Sequence, residues 1–364
     1  MKSLIRQCFL YTTAILLMNG CGGCNEKSKD PRQNQIEDKL VIETLKTYRL
    51  DEIIFNNADK NDFKQQVEQL PIEIYATYME QIMGMGDAKD STTWQTLQRF
   101  AQFKDMRDLQ RASTETHTTQ EIADYEKQLA ESFARFRVLL PKEKNPNVIW
   151  MNAGLAAASF AIKNNLFIGL DYYIYPHPLV KEFPPERFPN YKRINMDSRY
   201  LCSNAMFNWL SHRYDDYDSI PPEKNDFLSS MIYSGKIMYA LGVTQPETAD
   251  STHLMWSSKE WEWAKENELN IWKEIARQDV LFGTRKEEIA KWFNEAPFTN
   301  AGNLPSNASP QLGLWMGWKI VSAYMVKNPN VTLEQLWKER NNQKYSALTN
   351  LNFNNESIVH QYSN

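Results

Sequence analysis

The sequence predicts an α+β fold that is mostly helical, with one small sheet that includes a β-hairpin. Residues 147–152 (NVIWMN) form a β-branched and aromatic run, and residues 160–175 hold two apolar runs joined by Lys163-Asn164-Asn165. Asn tolerates the left-handed backbone that a tight hairpin requires. Residues 196–214 then resume apolar side chains at helical spacing. A sheet edge over a buried helix is a common way to form a groove.

The first twenty residues have the pattern of an export signal. Lys2 and Arg6 give a positive start, and the apolar run 8–18 is too short to span a bilayer, which needs about 20 residues. The sequence Gly20-Cys21 resembles a bacterial lipobox, which predicts lipidation of Cys21 by acyl chains such as palmitate. Buried acyl chains contribute roughly 0.8 kcal/mol per methylene, so anchoring would be stable. The alternative is an ordinary signal peptide with a cysteine nearby.

The remaining chain divides into a tether, one domain and a tail. Residues 21–35 hold the lipidated cysteine and a flexible tether without large apolar side chains. Residues 36–353 are long enough to bury a large core and show no second linker or internal repeat. Residues 354–364 form a polar tail. The expected location is the cell envelope, with a periplasm-facing domain anchored to the inner or the outer membrane.

The net charge limits the classes of partner that are expected, and the cysteine content limits the possible disulfides. The formal charge is −4, and loss of the two cations Lys2 and Arg6 would make it −6. A mildly acidic protein is not expected to bind nucleic acid. Cys24 and Cys202 remain after export and acylation. A disulfide between them is not expected, because Cys24 lies in the tether and Cys202 on a predicted core helix, where it would act as a small apolar side chain.

Start and stop patterns divide the helical regions. The predicted boundaries are two helical pieces over residues 62–82 separated at Pro71, helices over residues 92–111 and 119–140, a capped helix from Ser257 to about Arg277, capping boxes at Thr284–Glu287 and Thr332–Gln335, and a helix from Ser309-Pro310 through Val326. Gly313 and Gly317 lie four apart in that last helix. Because two glycines cost a helix roughly 2 kcal/mol relative to alanine, they predict close approach of a neighbouring backbone.

Motifs for catalysis are absent from the sequence. It contains no H-E-x-x-H, no G-x-S-x-G, no phosphate-binding glycine loop, and no C-x-x-C within the predicted domain. A weak cation contact at His212 with Asp215 or Asp216 competes with a solvated turn after a helix. A carboxylate pair for glycoside hydrolysis stays open, although nothing singles out one pair. No catalytic residue, metal ligand or cofactor is therefore assigned.

Two further features have alternative interpretations. Asp171 follows the second hairpin strand, where it either accepts hydrogen bonds from backbone N–H groups or contacts a ligand. Trp261 and Trp272 are spaced as a core stripe, whereas Trp256 and Trp263 would line either the core or a binding surface.

The chain resembles the gliding-motility lipoprotein family of the GldB type found in Bacteroidetes. The resemblance extends over nearly the whole length and rests on the order and spacing of the following segments: the lipobox at Cys21, YRLDEIIF at 48–55, FIGLDYY at 167–173, YSGKIMY at 233–239 and GLWMGWKIV at 313–321. It implies an accessory protein of the cell envelope associated with gliding and with the linked secretion machinery.

That family in turn looks like a relative of zinc peptidases that has lost its metal ligands. The resemblance places residues 203–207, or the frame one residue later, at the H-E-x-x-H position, and Ser234 where a glutamate precedes the glycine. It thereby implies a zincin-like architecture without metal. The groove residues it suggests are Ser203, Asn204, Phe207, Ser234 and Asp171.

Three functional hypotheses follow. The first is a non-catalytic, membrane-anchored lipoprotein whose groove binds a segment of an envelope protein, with contacts expected along residues 166–170. The second is an envelope hydrolase or a metallopeptidase with non-standard ligands such as His212 and Asp216. The third is a structural envelope protein that acts through its tether and outer surface.

Overall fold

A computed structural model describes residues 30–215, 226–295 and 302–342. The predictions for the signal peptide, Cys21, Cys24, Asp216 and the polar tail lie outside the described residues.

The α-helices are α1 (Gln33–Glu37), α2 (Leu50–Phe55), α3 (Phe63–Val67), α4 (Ile72–Thr77), α5 (Ser91–Gln102), α6 (Lys104–Thr116), α7 (Thr119–Leu139), α8 (Asn190–Ile194), α9 (Leu201–Asp215), α10 (Phe227–Thr244), α11 (Asp250–His253), α12 (Ser258–Glu266), α13 (Glu268–Gln278), α14 (Lys286–Phe293), α15 (Leu312–Lys327) and α16 (Leu333–Lys338). A π-helical turn (Tyr78–Ile82) and three 3₁₀ segments (Leu170–Tyr172, Pro178–Glu182, Ser198–Tyr200) complete the helical structure in these ranges.

The sheet is small and mixed, as predicted for an α+β fold. The strands are β1 (Lys46–Arg49), β2 (Asn147–Met151), β3 (Ser159–Ile162) and β4 (Asn165–Gly169), in the order β1-β2-β4-β3. β1, β2 and β4 are parallel, whereas β3 is antiparallel to β4 and lies at the edge. The predicted hairpin is therefore confirmed, but Lys163, not an asparagine, takes the left-handed φ of 51° in its turn.

The central strands separate two apolar cores. Val148 and Trp150 of β2 face the larger core, while Ile149 and Met151 face the smaller core that contains α2 to α5. β4 is likewise buried on both faces. A strand buried on both faces has no polar side to alternate with, which explains the continuous apolar runs in the sequence.

Helix α9 lies beneath β3 and β4, and α10 packs against α9 on one side and α15 on the other. The contact between α10 and α15 is the most extensive helix–helix contact in the described residues. A Cβ added to Gly317 would overlap the carbonyl oxygen of Met231, and one added to Gly235 would overlap the carbonyl oxygen of Gly317. The close backbone approach predicted from the glycines of α15 is confirmed at Gly317.

Several predicted helix boundaries are wrong. The helix over residues 92–111 is two helices separated by extended Phe103, and the helix from Ser257 ends at Glu266, where Asn267 separates α12 from α13. Thr284 caps no helix, because α14 begins at Lys286.

The helix predicted from Ser309-Pro310 begins instead at Leu312, after Gln311 in a left-handed conformation. The Ser309 hydroxyl donates to the Glu260 carbonyl, so a tertiary contact has replaced the predicted cap. The capping boxes at Ser257 and Thr332 and the helical break at Pro71 are confirmed.

The packed structure starts earlier than predicted. Residues 30–35, which the composition assigns to the tether, include buried Arg32 and Gln33 and the start of α1. Trp256 is also buried, against Trp261 and Trp315, so it lines no surface.

We predict that Gly317→Ala destabilises the protein by about 2 to 4 kcal/mol. The new methyl group would force α15 away from α10, and overpacking of this kind typically costs about 1 to 3 kcal/mol, or more where backbone must move. Urea unfolding of the purified protein measures the change.

Gly242→Ala is the matched control on α10. Its Cβ would meet only the Trp318 ring, at 3.2 Å and beyond, and alanine gains about 1 kcal/mol of helix propensity. The change there should stay within about 1 kcal/mol. Equal destabilisation by Gly317→Ala and Gly242→Ala would contradict overlap with the α10 backbone as the cause.

Candidate functional site

Three polar side chains join the edge strand to the helix beneath it. The Ser159 hydroxyl of β3 donates to the Asn204 side-chain oxygen at 3.1 Å, and the Asn208 amide donates to the Ser159 hydroxyl at 2.5 Å. The Asn208 amide also reaches the Asn204 side-chain oxygen at 2.9 Å. We call Ser159, Asn204 and Asn208 the amide cluster. The asparagines meet because residues four apart lie on one face of a helix.

The outer edge of β3 carries main-chain groups that point away from the sheet. The register pairs Phe160 with Phe167 and Ile162 with Asn165, and the Gly169 N–H donates to the Ala158 carbonyl. Because antiparallel pairs alternate between bonded and non-bonded positions, the N–H and C=O groups of Ser159 and Ala161 face outward. An edge of this kind is a template for an added strand.

The predicted groove strand was the wrong one. Residues 166–170 belong to inner strand β4 and the turn after it, and all are buried. The strand of the hairpin that is accessible is β3, whose residues are all half-buried. β4 is an inner strand because it pairs with β2 on one side and with β3 on the other. The hairpin pattern in the sequence does not reveal this strand order.

Asp171 fixes the loop that leads into β3. Its carboxylate accepts the Ala153 N–H at 3.0 Å and the Leu155 N–H at 2.7 Å. These bonds hold Leu155 at a φ of 64°. This is the left-handed region of backbone conformation, which a leucine seldom adopts. Asp171 is 0% exposed, so it lines no groove surface. Its predicted role as an acceptor of backbone N–H groups is confirmed.

Ser203 also faces the interior. Its hydroxyl lies 2.7 Å from Nδ1 of His253, and the two residues are 2% and 6% exposed. The edge of the Trp318 ring system packs on His253, with ring centroids 5.9 Å apart. Ser203 therefore belongs to the core under the groove and not to its surface.

The other suggested groove residues are separated. Asn204 and Phe207 are half-buried on α9, whereas Ser234 lies on α10 beside Gly235 and, among the described residues, makes no hydrogen bond to the amide cluster. Met255 joins the site from the turn after α11, where its sulfur accepts from the Asn204 amide at 3.7 Å. Sequence reasoning missed Ser159, Asn208, Met255 and His253. Only the i, i+4 spacing of Asn204 and Asn208 was a usable indication.

The chemistry of this arrangement favours binding over proton transfer. Neutral amides and a hydroxyl do not titrate near neutral pH, and they are not the anionic or imidazole ligands that zinc prefers, so the zinc of active peptidases does not fit these residues. His212 contacts the Lys163 carbonyl at 3.3 Å, and Asp215 accepts from the Tyr233 hydroxyl. Within residues 30–215, 226–295 and 302–342, no three His, Cys, Asp or Glu side chains are grouped as metal ligands.

Burial raises the pKa of Asp171 to about 6, despite its two backbone donors. Between pH 4 and 6, Asp171 therefore keeps its proton in the folded protein, whereas in the unfolded chain it loses the proton near pH 3.9. The free energy of unfolding therefore falls as pH rises through this window. At pH 7 the two pKa values together correspond to a loss of roughly 3 kcal/mol of stability. His117 acts in the opposite direction, since burial lowers its pKa to about 4.

We predict that Asp171→Asn removes this pH dependence. Asn accepts one of the two N–H groups and leaves the other unsatisfied, which costs about 1 to 3 kcal/mol at pH 4. At pH 7 the variant should recover much of that loss, because it carries no buried charge. Denaturant unfolding at pH 4 to 7 measures the free energy of unfolding of the variant and of the unsubstituted protein. The contribution of His117 is the same in both proteins and cancels in the difference.

The Asp105→Asn variant, at an exposed position, is the control for the loss of one carboxylate elsewhere in the chain. A raised pKa at Asp171 would be contradicted if the free energies of unfolding of the Asp171→Asn variant and the unsubstituted protein differed by the same amount at every pH from 4 to 7.

Comparison with known proteins bears on the predicted family. A family model described as gliding motility protein GldB matches residues 29–347. No curated protein and no solved structure gives a significant match. No helix in the described parts of the chain has both the length and the apolar character required to cross a membrane. Because the family match spans most of the sequence and the whole described domain, the chain belongs to the family of the gliding motility protein GldB.

Proposed function

We propose that the protein is a lipid-anchored, non-catalytic accessory component of the bacterial cell envelope that acts in gliding motility and its linked protein secretion. Its groove, formed by β3, the loop before it and the upper face of α9, holds an extended segment of an envelope protein. Membership of the GldB family supports the link to gliding. The export pattern and Cys21 in the sequence support the lipid anchor.

The main observation behind this proposal is the edge of β3. Two outward main-chain positions, Ser159 and Ala161, lie on the strand that contacts α9, and the α9 side chains that bond to β3 there are the amides Asn204 and Asn208. In the zinc peptidases that the family resembles, histidines occupy the i and i+4 positions of the corresponding helix. An antiparallel edge strand over an amide-bearing helix supports a zincin-like layout that has kept its strand-binding edge without its metal ligands.

The alternative is an envelope hydrolase, and one contact favours it. Ser203 and His253 lie within hydrogen-bond distance, as a nucleophile and its base would. Both side chains are buried, however, and a substrate would reach them only after α9 or α11 moved. A structural role, in which the pair satisfies two core polar groups, needs no such movement.

Ala161→Pro tests the groove. Proline removes the outward N–H that an added strand would bond, yet edge positions of this kind tolerate it. We expect loss of gliding and loss of crosslinks from a photoreactive side chain at Asn208 to an envelope protein in intact cells. Ala161→Ser keeps the N–H and should retain both. Normal gliding by the proline variant at normal protein abundance would contradict strand binding.

A second experiment separates the accessory role from the enzyme. Protein purified without chelators should contain no stoichiometric zinc and should not cleave a mixed peptide library. Ser203→Ala should lower the free energy of unfolding by about 1 kcal/mol through the loss of the hydrogen bond to His253, and gliding should persist while the protein remains folded. Peptide turnover that Ser203→Ala abolishes without unfolding the protein would establish the hydrolase instead.

A further inference from the structure

The N-terminal end of the described chain is fixed to the domain by a buried arginine. The Arg32 guanidinium donates to the carbonyls of Met325 and Asn328, at the end of α15, at 2.7 and 2.8 Å. It also donates to Asp30 and to the Tyr239 hydroxyl, which in turn donates to Asp30 at 2.6 Å. A buried charge with this many partners is costly to displace, so Asp30 and Arg32 stay attached to the end of α15.

This attachment limits how far the domain can stand from the membrane. Eight residues, 22–29, lie between the predicted lipidated Cys21 and Asp30, and the nine steps along the chain from Cys21 to Asp30 span at most roughly 30 Å. A domain of about 310 residues has a radius of gyration of about 20 Å, and thus a diameter of roughly 50 Å. The surface around Asp30 and the end of α15 must therefore stay close to the bilayer.

The same side of the domain carries adjacent exposed apolar residues. Val41 and Ile42, in the loop between α1 and β1, are 65% and 53% exposed, and Val326, next to Met325, is 41% exposed. These are three of the eight large apolar side chains described as exposed. Scattered single residues of this kind need no explanation, whereas neighbouring ones at a chain anchor do.

The loop presents these side chains on a rigid support. The Arg137 guanidinium at the end of α7 donates to the Val41 carbonyl at 2.8 Å and pairs with Glu43. Leu45 is buried behind them. The backbone is therefore fixed while the Val41 and Ile42 side chains point into solvent.

Cations outnumber anions among the exposed side chains around the loop. Glu37 pairs with Arg135 and Glu43 with Arg137, both on α7. The exposed charged side chains close to the loop or to the groups that hold it include Asp38, Lys39, Lys46, Lys144 and Lys327. Such a surface attracts anionic lipid, and burial of the apolar side chains adds a contribution that salt does not screen.

We infer that Val41 and Ile42 insert into the interfacial region of the lipid bilayer and orient the domain on the membrane. The lipid anchor confines the domain, and these two side chains select the face that meets the lipid. This inference rests on the proposed lipidation of Cys21. It adds that α1 and the ends of α7 and α15 face the membrane, and it places the junction of α5 and α6, past the opposite end of the parallel strands, away from it.

A fluorescent probe tests the contact in the lipidated full-length protein. The probe is an environment-sensitive NBD label on Ile42→Cys, with Cys24→Ser so that buried Cys202 and acylated Cys21 are the other cysteines. The protein is reconstituted into vesicles of phosphatidylethanolamine and phosphatidylglycerol. We expect a blue shift in emission and quenching by brominated acyl chains, both unchanged at high salt.

Phe103→Cys is the matched control, because Phe103 is 58% exposed. It lies between Phe100 and Met106, which pack near Gly154 past the C-terminal end of β2, whereas Val41 and Ile42 precede the N-terminal end of the parallel strand β1. Its label should keep the emission seen in water. A folded Val41→Asp/Ile42→Cys variant should lose most of the shift at position 42. No shift at position 42, equal shifts at both positions, or a shift removed by salt would each overturn the inference while leaving the anchor intact.

Failure of the anchor itself would be distinguishable. Flotation with vesicles should depend on Cys21, so the Cys21→Ser protein should remain in the soluble fraction. If the Cys21→Ser protein floats as well as the unsubstituted one, the proposed lipidation fails, and the orientation inferred from tether length fails with it.

Discussion

The contact between the backbones of α10 and α15 sets the geometry of the larger core. At Gly317 and Gly235 the two helices approach so closely that main-chain atoms occupy the space of a side chain. This approach fixes α10, which carries α9 on its other side, and α9 in turn supports β3 and β4. Two of the segments that carry the family resemblance, 233–239 and 313–321, meet at this contact. Their similarity to the family is therefore a requirement of packing, and it says little by itself about chemistry.

The groove combines a rigid support with a neutral surface. Asp171, fully buried, holds the loop before β3 by two backbone N–H groups, and β4 beneath is covered on both faces. The polar side chains that join β3 to α9 are amides and a hydroxyl that hydrogen-bond to one another. Such a surface offers hydrogen bonds to a main chain without favouring a charge, which is appropriate for holding a strand of variable sequence.

Helix α7 contacts both the Val41 loop and the helices beneath the groove. Its last turns hold the Val41 loop through Arg135 and Arg137, and its middle packs in the core against α10 and α9. A domain oriented by this helix end would present its groove at a defined angle to the bilayer. Orientation of this kind lowers the entropic cost of capturing a partner that is itself confined to the envelope.

The sequence by itself determined the α+β class, the hairpin, the glycine contact and the GldB family. Each depends on local pattern, on steric demand at one residue, or on a run of matching segments. For Asp171 the sequence left two interpretations open, and the fold decided between them. The start of α15 at Leu312 was decided by a tertiary contact, because the Ser309 hydroxyl bonds to Glu260 in place of capping its own helix. The site was decided the same way. Ser159, Asn204, Asn208 and Met255 come from three distant segments, and which strand forms the edge depends on sheet order. Only the folded chain brings these groups together, because their hydrogen bonds join residues about fifty apart in sequence.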